Sequence, residues 1–252
     1  MTSALIAVTV AVSLHSLWVR RDTWWSRWEI GITTGIALET VALVLMSPWA
    51  ATNLGPGLHQ LTRIWNIQQL TGHVLFAVAV TANVYHVMAR LADFDKFRPL
   101  FRLQVQAPLL VGVVAMAVTF VIADAGYRPD GFSTLGGGGA WARGYWALFS
   151  ALTIYLAGYV TRVLSMLRSD PRAKETVELY TVSTAFAVAA IMAILSNAWS
   201  KSDDSRLIWL CTCISVAIFA HGSARSWQAK AAWFAGAGRP VEQSNPPPPA
   251  LS

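Results

Sequence analysis

Apolar runs of about 20 residues recur along this chain, each long enough to cross about 30 Å of hydrocarbon as a helix. Few sequence features narrow a fold more. Backbone N–H and C=O groups in lipid must be satisfied within the segment, so such runs are helices. No two-residue alternation of the barrel kind is present. Composition agrees, with 55% hydrophobic and 13% charged residues, where soluble domains carry about a quarter charged. The runs predict seven spans, at 2–19, 30–47, 67–90, 104–124, 144–167, 179–200 and 206–227. The expected fold is all-α, a polytopic bundle of seven transmembrane helices over residues 1–230. The Pro-rich, polar residues 231–252 are expected to form a disordered cytoplasmic tail.

Basic residues predict the orientation. The first, third, fifth and final connections hold Arg20, Arg21 and Arg27; Arg90, Lys96, Arg98 and Arg102; Arg162, Arg168, Arg172 and Lys174; and Arg225, Lys230 and Arg239. Only Arg63, Arg128, Arg143, Lys201 and Arg206 remain for the opposite side. That asymmetry places the N-terminus outside and the C-terminus inside a plasma membrane. The net charge of +6 then suits anionic headgroups of the inner leaflet better than nucleic acid. The N-terminal run has no basic residues before it and no small-residue cleavage site after it, which favours a first span over a removed signal peptide. Trp18, Trp24, Trp25 and Trp28 crowd the first inner loop. Trp49, Trp65, Trp141, Trp146, Trp199 and Trp209 lie near outer boundaries, where the indole keeps its N–H wet.

Between the second and third spans, Leu58, Leu61 and Trp65 recur at helical spacing after Gly55-Pro56-Gly57, which predicts a short helix in the outer interface. Asn66 and Gln69 have the spacing of a capping box opening the third span. Gly136–Gly139 lack the preceding strand and following Lys-Ser/Thr of a phosphate loop and read as a flexible outer connection. Cys211 and Cys213 are two apart on one helix and cannot bridge there.

Glu39 is the sharpest polar signal. A carboxyl near the middle of a span is costly in lipid and faces protein. Gly31 and Gly35 precede it at intervals of four, a small-xxx-small face that admits a close helix neighbour. Glu39 is therefore either a hydrogen-bonded acid that fixes helix pairing or a substrate or proton site. Depth arithmetic brings Asn83 and Tyr155 to the same level, with Thr9 and Ser215, while the fourth and sixth spans look apolar at their centres. Asn83, His86 and Arg90 share one face, as do Tyr155, Tyr159 and Arg162. The substrate or proton-site candidates are thus Glu39, Asn83, Tyr155 and His86, with Gly31 and Gly35 for helix packing.

His15, His86 and His221 fall near the inner ends of three spans. Two of them could in principle hold a haem or act as a pH-responsive cluster. His73 and His86 are 13 residues apart and face about 140° away from each other on an ideal helix. No Cys-x-x-Cys-His, no metal motif and no catalytic triad or paired catalytic carboxylates occur. Nothing in the sequence points to an enzyme, and no cofactor or metal is expected.

The segment Leu61-Thr62-Arg63-Ile64-Trp65-Asn66-Ile67, entering an apolar span followed by a basic loop, resembles an actinobacterial family of uncharacterised seven-helix integral membrane proteins labelled as transporters. That family often carries a Leu-Thr-Gly-x-Pro-Asn-Leu-type segment there; Arg63 and Trp65 stand where glycine and proline are common. The resemblance implies the span layout and brings no substrate and no site residues. Three functions remain open: a small transporter-like protein with a polar site in the core, a membrane sensor or regulatory adaptor, and a structural or exclusion protein that binds another membrane protein. A water-accessible cavity at Glu39 and Tyr155 would favour the first. A sealed centre with an outer pocket would favour the second.

Overall fold

In the computed structural model, residues 2–26, 28–89, 94–124, 126–132, 139–169, 173–200 and 204–237 are described. Among them every regular element is helical: α1 (Thr2–Val19), α2 (Ile30–Met46), α3 (Pro48–Asn53), α4 (Gly55–Thr62), α5 (Ile67–Met88), α6 (Phe94–Phe101), α7 (Ala107–Ala123), α8 (Ala140–Leu167), α9 (Lys174–Ser200) and α10 (Arg206–Ala237). A 3-10 turn, Arg21–Trp25, links α1 toward α2, and a π turn, Arg102–Gln106, joins α6 to α7. Arg27, Arg90, Arg172, Lys201, Gly136–Gly138 and residues 238–252 lie outside the described residues. α10 continues as helix to Ala237, through the stretch where the sequence reading began the tail.

Six helices are long and apolar enough to cross a membrane: α1, α5, the unit Arg98–Ala123, α8, α9 and α10. α2 is equally apolar but has 17 residues, about 26 Å of helix. Large apolar side chains cover much of the outside as well as filling the core, and many polar ones lie inside. Val111, Val114, Val118 and Ile122 of α7, Val8 and Leu14 of α1, and Val182 and Met192 of α9 are exposed. Ser13, Ser16, Thr33, Glu39, Asn83, Thr153, Ser183 and Ser215 are buried. A coat of this kind finds its natural solvent in hydrocarbon, while the polar groups find partners inside.

α2 packs along α5, α10 lies against α9 and α1, and α8 contacts α5, α7 and α9. Local chemistry explains the breaks between them. Pro48 opens α3 one residue after Ser47, whose hydroxyl accepts from Ala50 N at 3.3 Å as an N-cap. Arg63 ends α4 in the left-handed conformation at φ 60°. Pro108 has no N–H for the Gln104 carbonyl and its ring would crowd that oxygen. The helix widens into the π turn just there.

Two ends of the bundle can then be distinguished. Residues 47–66, 126–132 and 204–205 gather at one, the vestibule end. Residues 20–33 and 223–230 gather at the other, the clamp end.

Candidate functional site

Glu39 is 5% exposed on the α2 face that meets α5. Asn83 Nδ2 donates to Glu39 Oε1 at 3.0 Å. Both oxygens of a carboxylate accept, and so does the carbonyl oxygen of a carboxylic acid, so this bond suits either protonation state. The glycines make the approach possible. Asn83 Oδ1 occupies the place where a side chain on residue 35 would begin, and a Cβ on residue 31 would stand 3.1 Å from His86 Cβ. One seam therefore brings together Gly31, Gly35 and Glu39 of α2 with Asn83 and His86 of α5.

Glu39 and Asn83 line a cavity of about 60 Å³ with Thr153 of α8, Tyr180, Ser183 and Thr184 of α9, and Ser215 of α10. That is room for a few waters, at about 10–15 Å³ each. Ser183 and Ser215 clasp α9 to α10 reciprocally: each hydroxyl donates to the other's backbone carbonyl, at 2.9 and 2.8 Å. α9 is thus not apolar where it meets the site. It starts at Lys174 rather than near 179, which moves Ser183 away from the helix end and into the bundle.

Tyr155 does not belong to this site. It is 43% exposed, and its hydroxyl donates to the Gln104 carbonyl at 2.6 Å, beside Tyr159, which donates to Gln104 Oε1 at 2.8 Å. Pro108 offers the Gln104 carbonyl no N–H at the α-helical spacing, which leaves a lone pair open to the tyrosine. Depth along a span placed Tyr155 at the level of Glu39, but rotation about the helix axis turns it to α7's π turn. His15 and His221 are exposed on the bundle surface whereas His86 is buried in the α2–α5 seam, so the three do not gather as a cluster. No group of three or more His, Cys, Asp or Glu placed to hold a metal occurs among the described residues.

A second cavity, of about 240 Å³, opens at the vestibule end between the start of α5, the residues Asp124, Arg128 and Gly131, and the start of α8. Asn66 and Gln69 do not form the capping box. Asn66 adopts the left-handed conformation at φ 60° without a side-chain cap. Its amide instead donates to Gly126 O at 2.6 Å and accepts from Arg128 N at 3.0 Å, and Gln69 Nε2 donates to Arg128 O at 3.2 Å. These bonds hold the loop over the bundle. Asp130 ties it further, accepting from Trp209 Nε1 at 3.0 Å and Ser205 Oγ at 2.7 Å. At the cavity's base His73, 1% exposed, shares a 2.7 Å hydrogen bond between Nδ1 and the Tyr145 hydroxyl. Rings of Phe132, Tyr145, Trp146 and Phe149 surround its imidazole with centroids 4.7 to 5.9 Å away.

The chain matches no protein-family model, no curated protein and no solved structure. Its geometry alone carries the functional argument.

That geometry has an axis. The vestibule ends on the ring cluster around His73. A pocket of about 20 Å³ beneath it touches Phe132, Phe149 and Phe76, and Phe76 and Ser215 also line the Glu39 cavity. At the clamp end Arg20, 1% exposed, donates to Glu29 Oε2 at 2.8 Å, to Ser223 O at 2.9 Å and to Thr33 Oγ1 at 3.3 Å. Lys230 Nζ donates to the other Glu29 oxygen at 2.7 Å. In the sequence Arg20 and Lys230 stand out only as basic loop residues, and Glu29 does not stand out. The one available signal was a carboxylate nine residues after Arg20, across a short Trp-rich connection. Gln69 and His73 are four apart on α5 and so share one of its faces, a signal readable in the residues.

Proposed function

We propose that this chain is a small transporter-like protein of the plasma membrane whose polar site is Glu39 with Asn83. In this reading α2 is the seventh crossing, α4 rests in the outer interface, and the vestibule end faces outward. The loop distribution of Lys and Arg supports that orientation. It is also the layout of the actinobacterial seven-helix family that the Leu61–Ile67 segment resembles. One observation carries the proposal: a buried carboxyl with a single side-chain donor faces a water-sized cavity midway between a mouth at one end and a bolt of ion pairs at the other. Such a row of mouth, aromatic floor, ionisable site and paired charges is what an occluded state needs when access alternates between sides. Glu39 would take up and release a proton or coordinate a polar solute, and the Arg20–Glu29–Lys230 cluster would part when the opposite end opens.

The floor around His73 favours a second reading, because the vestibule stops there and Tyr155 is absent from the core cavity. A sensor would bind at the mouth and shift the helices without passing anything through. Cysteine accessibility separates the two. In a chain with Cys211 and Cys213 replaced by alanine, a cysteine at Thr153 or Ser183 is expected to react with a membrane-impermeant thiol reagent from either side in turn if the protein transports. Protection from both sides under all conditions would rule transport out in favour of sensing. In reconstituted vesicles, Glu39→Gln is expected to abolish proton-coupled uptake; unchanged flux would remove the acid from the mechanism. Impermeant labelling of cysteines at Gly57 and at Ala173 is expected on opposite faces, with Gly57 outside.

A further inference from the structure

We propose that the cavity at Glu39 is a binding site for one small alkali cation, of the size of sodium, held by the Glu39 carboxylate and by hydroxyl oxygens of α8, α9 and α10. The inference rests on Glu39 being the polar site of the transport reading and names the ion it takes. A binding measurement tests it, so the two can fail separately.

Charge is the first constraint. Among the described residues lining the cavity, Glu39 is the one charged side chain. It belongs to none of the ion pairs among the described residues. A carboxylate withdrawn from water without a countercharge is strongly disfavoured. One carboxylate balances one positive charge, which selects a monovalent cation over a divalent one.

The direction of the hydrogen bonds is the second. Thr153 donates to Phe149 O at 2.8 Å, and Thr184 donates to Tyr180 O at 2.8 Å. Ser183 and Ser215 each donate to the other's backbone carbonyl. A hydroxyl has one proton and two lone pairs. All four have spent the proton, so they have only acceptor capacity left to offer. Such a lining suits a cation and disfavours an anion. Oxygen donors without His or Cys also fit a hard ion and not a transition metal.

Glu39 itself leaves a place open. Its Oε1 accepts from Asn83, whereas its Oε2 accepts no hydrogen bond from any described residue. Nor is Oε2 among the unpaired atoms shut in by packing. The open space beside Glu39 is the cavity it lines.

Size sets the rest. About 60 Å³ holds an ion with two or three waters, at about 10–15 Å³ for each particle. Those waters complete the shell where protein oxygens do not reach. An organic solute does not fit.

The test uses the full chain in nanodiscs of phosphatidylcholine, with radioactive sodium as probe in equilibrium dialysis. Saturable binding above empty nanodiscs is expected, displaced by unlabelled sodium. N-methylglucamine, a monovalent cation too large for the cavity, is expected not to displace it. Glu39→Gln keeps an acceptor for Asn83 but removes the charge, and is expected to weaken sodium binding at least tenfold. Thr153→Val removes one oxygen at nearly constant shape and is expected to weaken it about fivefold. Binding no greater than in empty nanodiscs, displacement by N-methylglucamine equal to that by sodium, or unchanged affinity in a folded Glu39→Gln chain would each overturn the proposal. The N-methylglucamine comparison needs only the unaltered protein, so it decides even where a variant fails to fold. Glu39-dependent uptake without sodium binding would overturn the cation site and leave transport standing, with the proton as the ion. Sodium binding without uptake would do the reverse.

Discussion

The two ends of this bundle handle charge in opposite ways. At the clamp end every charged group of the cluster has a protein partner, and the cluster bolts the α1–α2 connection to α10. At the vestibule end a cavity stays open, His73 Nε2 has no hydrogen-bond partner among the described residues, and the amides of Asn66 and Gln69 hold the 126–128 backbone in place. A buried pair that is fully hydrogen-bonded resists opening because separating it strands charge away from water. A polar cavity is the less stable arrangement, because its groups depend on water in place of protein partners. One end is built to hold, and the other keeps a cavity open.

Substitutions at the two ends should differ in size in a definite order. Glu29→Ala strands Arg20 and should lower unfolding stability by about 3–5 kcal/mol, read by thermal unfolding in detergent; a loss below 1 kcal/mol would mean the clamp is not closed in the resting protein. Tyr145→Phe deprives His73 Nδ1 of its partner and should cost about 1–3 kcal/mol in the same assay. Gly35→Ala drives a methyl onto Asn83 and should cost a similar or smaller amount, about 1–2 kcal/mol. Adding Asn83→Ala should recover part of that loss, and strict additivity of the two would contradict the contact. Tyr155→Phe frees only the Gln104 carbonyl at the bundle surface, for about 1 kcal/mol; it should leave accessibility at Thr153 unchanged, and a change there would return Tyr155 to the site. Arg63→Gln should move stability within about 0.5 kcal/mol, the counterpart to Glu29→Ala at the other end.

Much of the frame was legible in the residues. The helices are where the apolar runs are, and the interval of four from Gly31 through Gly35 to Glu39 defines a face that the structure packs against α5. Other features read differently once neighbours were known. Tyr155 was assigned by depth, which follows from counting residues, but its direction depends on a carbonyl that Pro108 frees on another helix. Ser183 sits near a helix end for a span that begins near 179, but α9 begins at Lys174 and carries it into the bundle. Asn66 and Gln69 have the spacing of a cap, yet a loop some 60 residues onward competes for the same amides and wins.

The residue pattern alone settles that this chain is helical, where its long apolar helices lie and which face of α2 needs a close neighbour. Those properties are local: in an apolar solvent a helix satisfies its own backbone, and side-chain spacing fixes its faces. Only the tertiary structure decided that Asn83 answers Glu39, that Arg20, Glu29 and Lys230 form one cluster, and that His73 lies at the base of a cavity. Each of these depends on how one helix is rotated against others distant in the chain. A hydrogen bond reaches only about 3 Å, so a small rotation makes or abolishes it while leaving the apolar pattern unchanged.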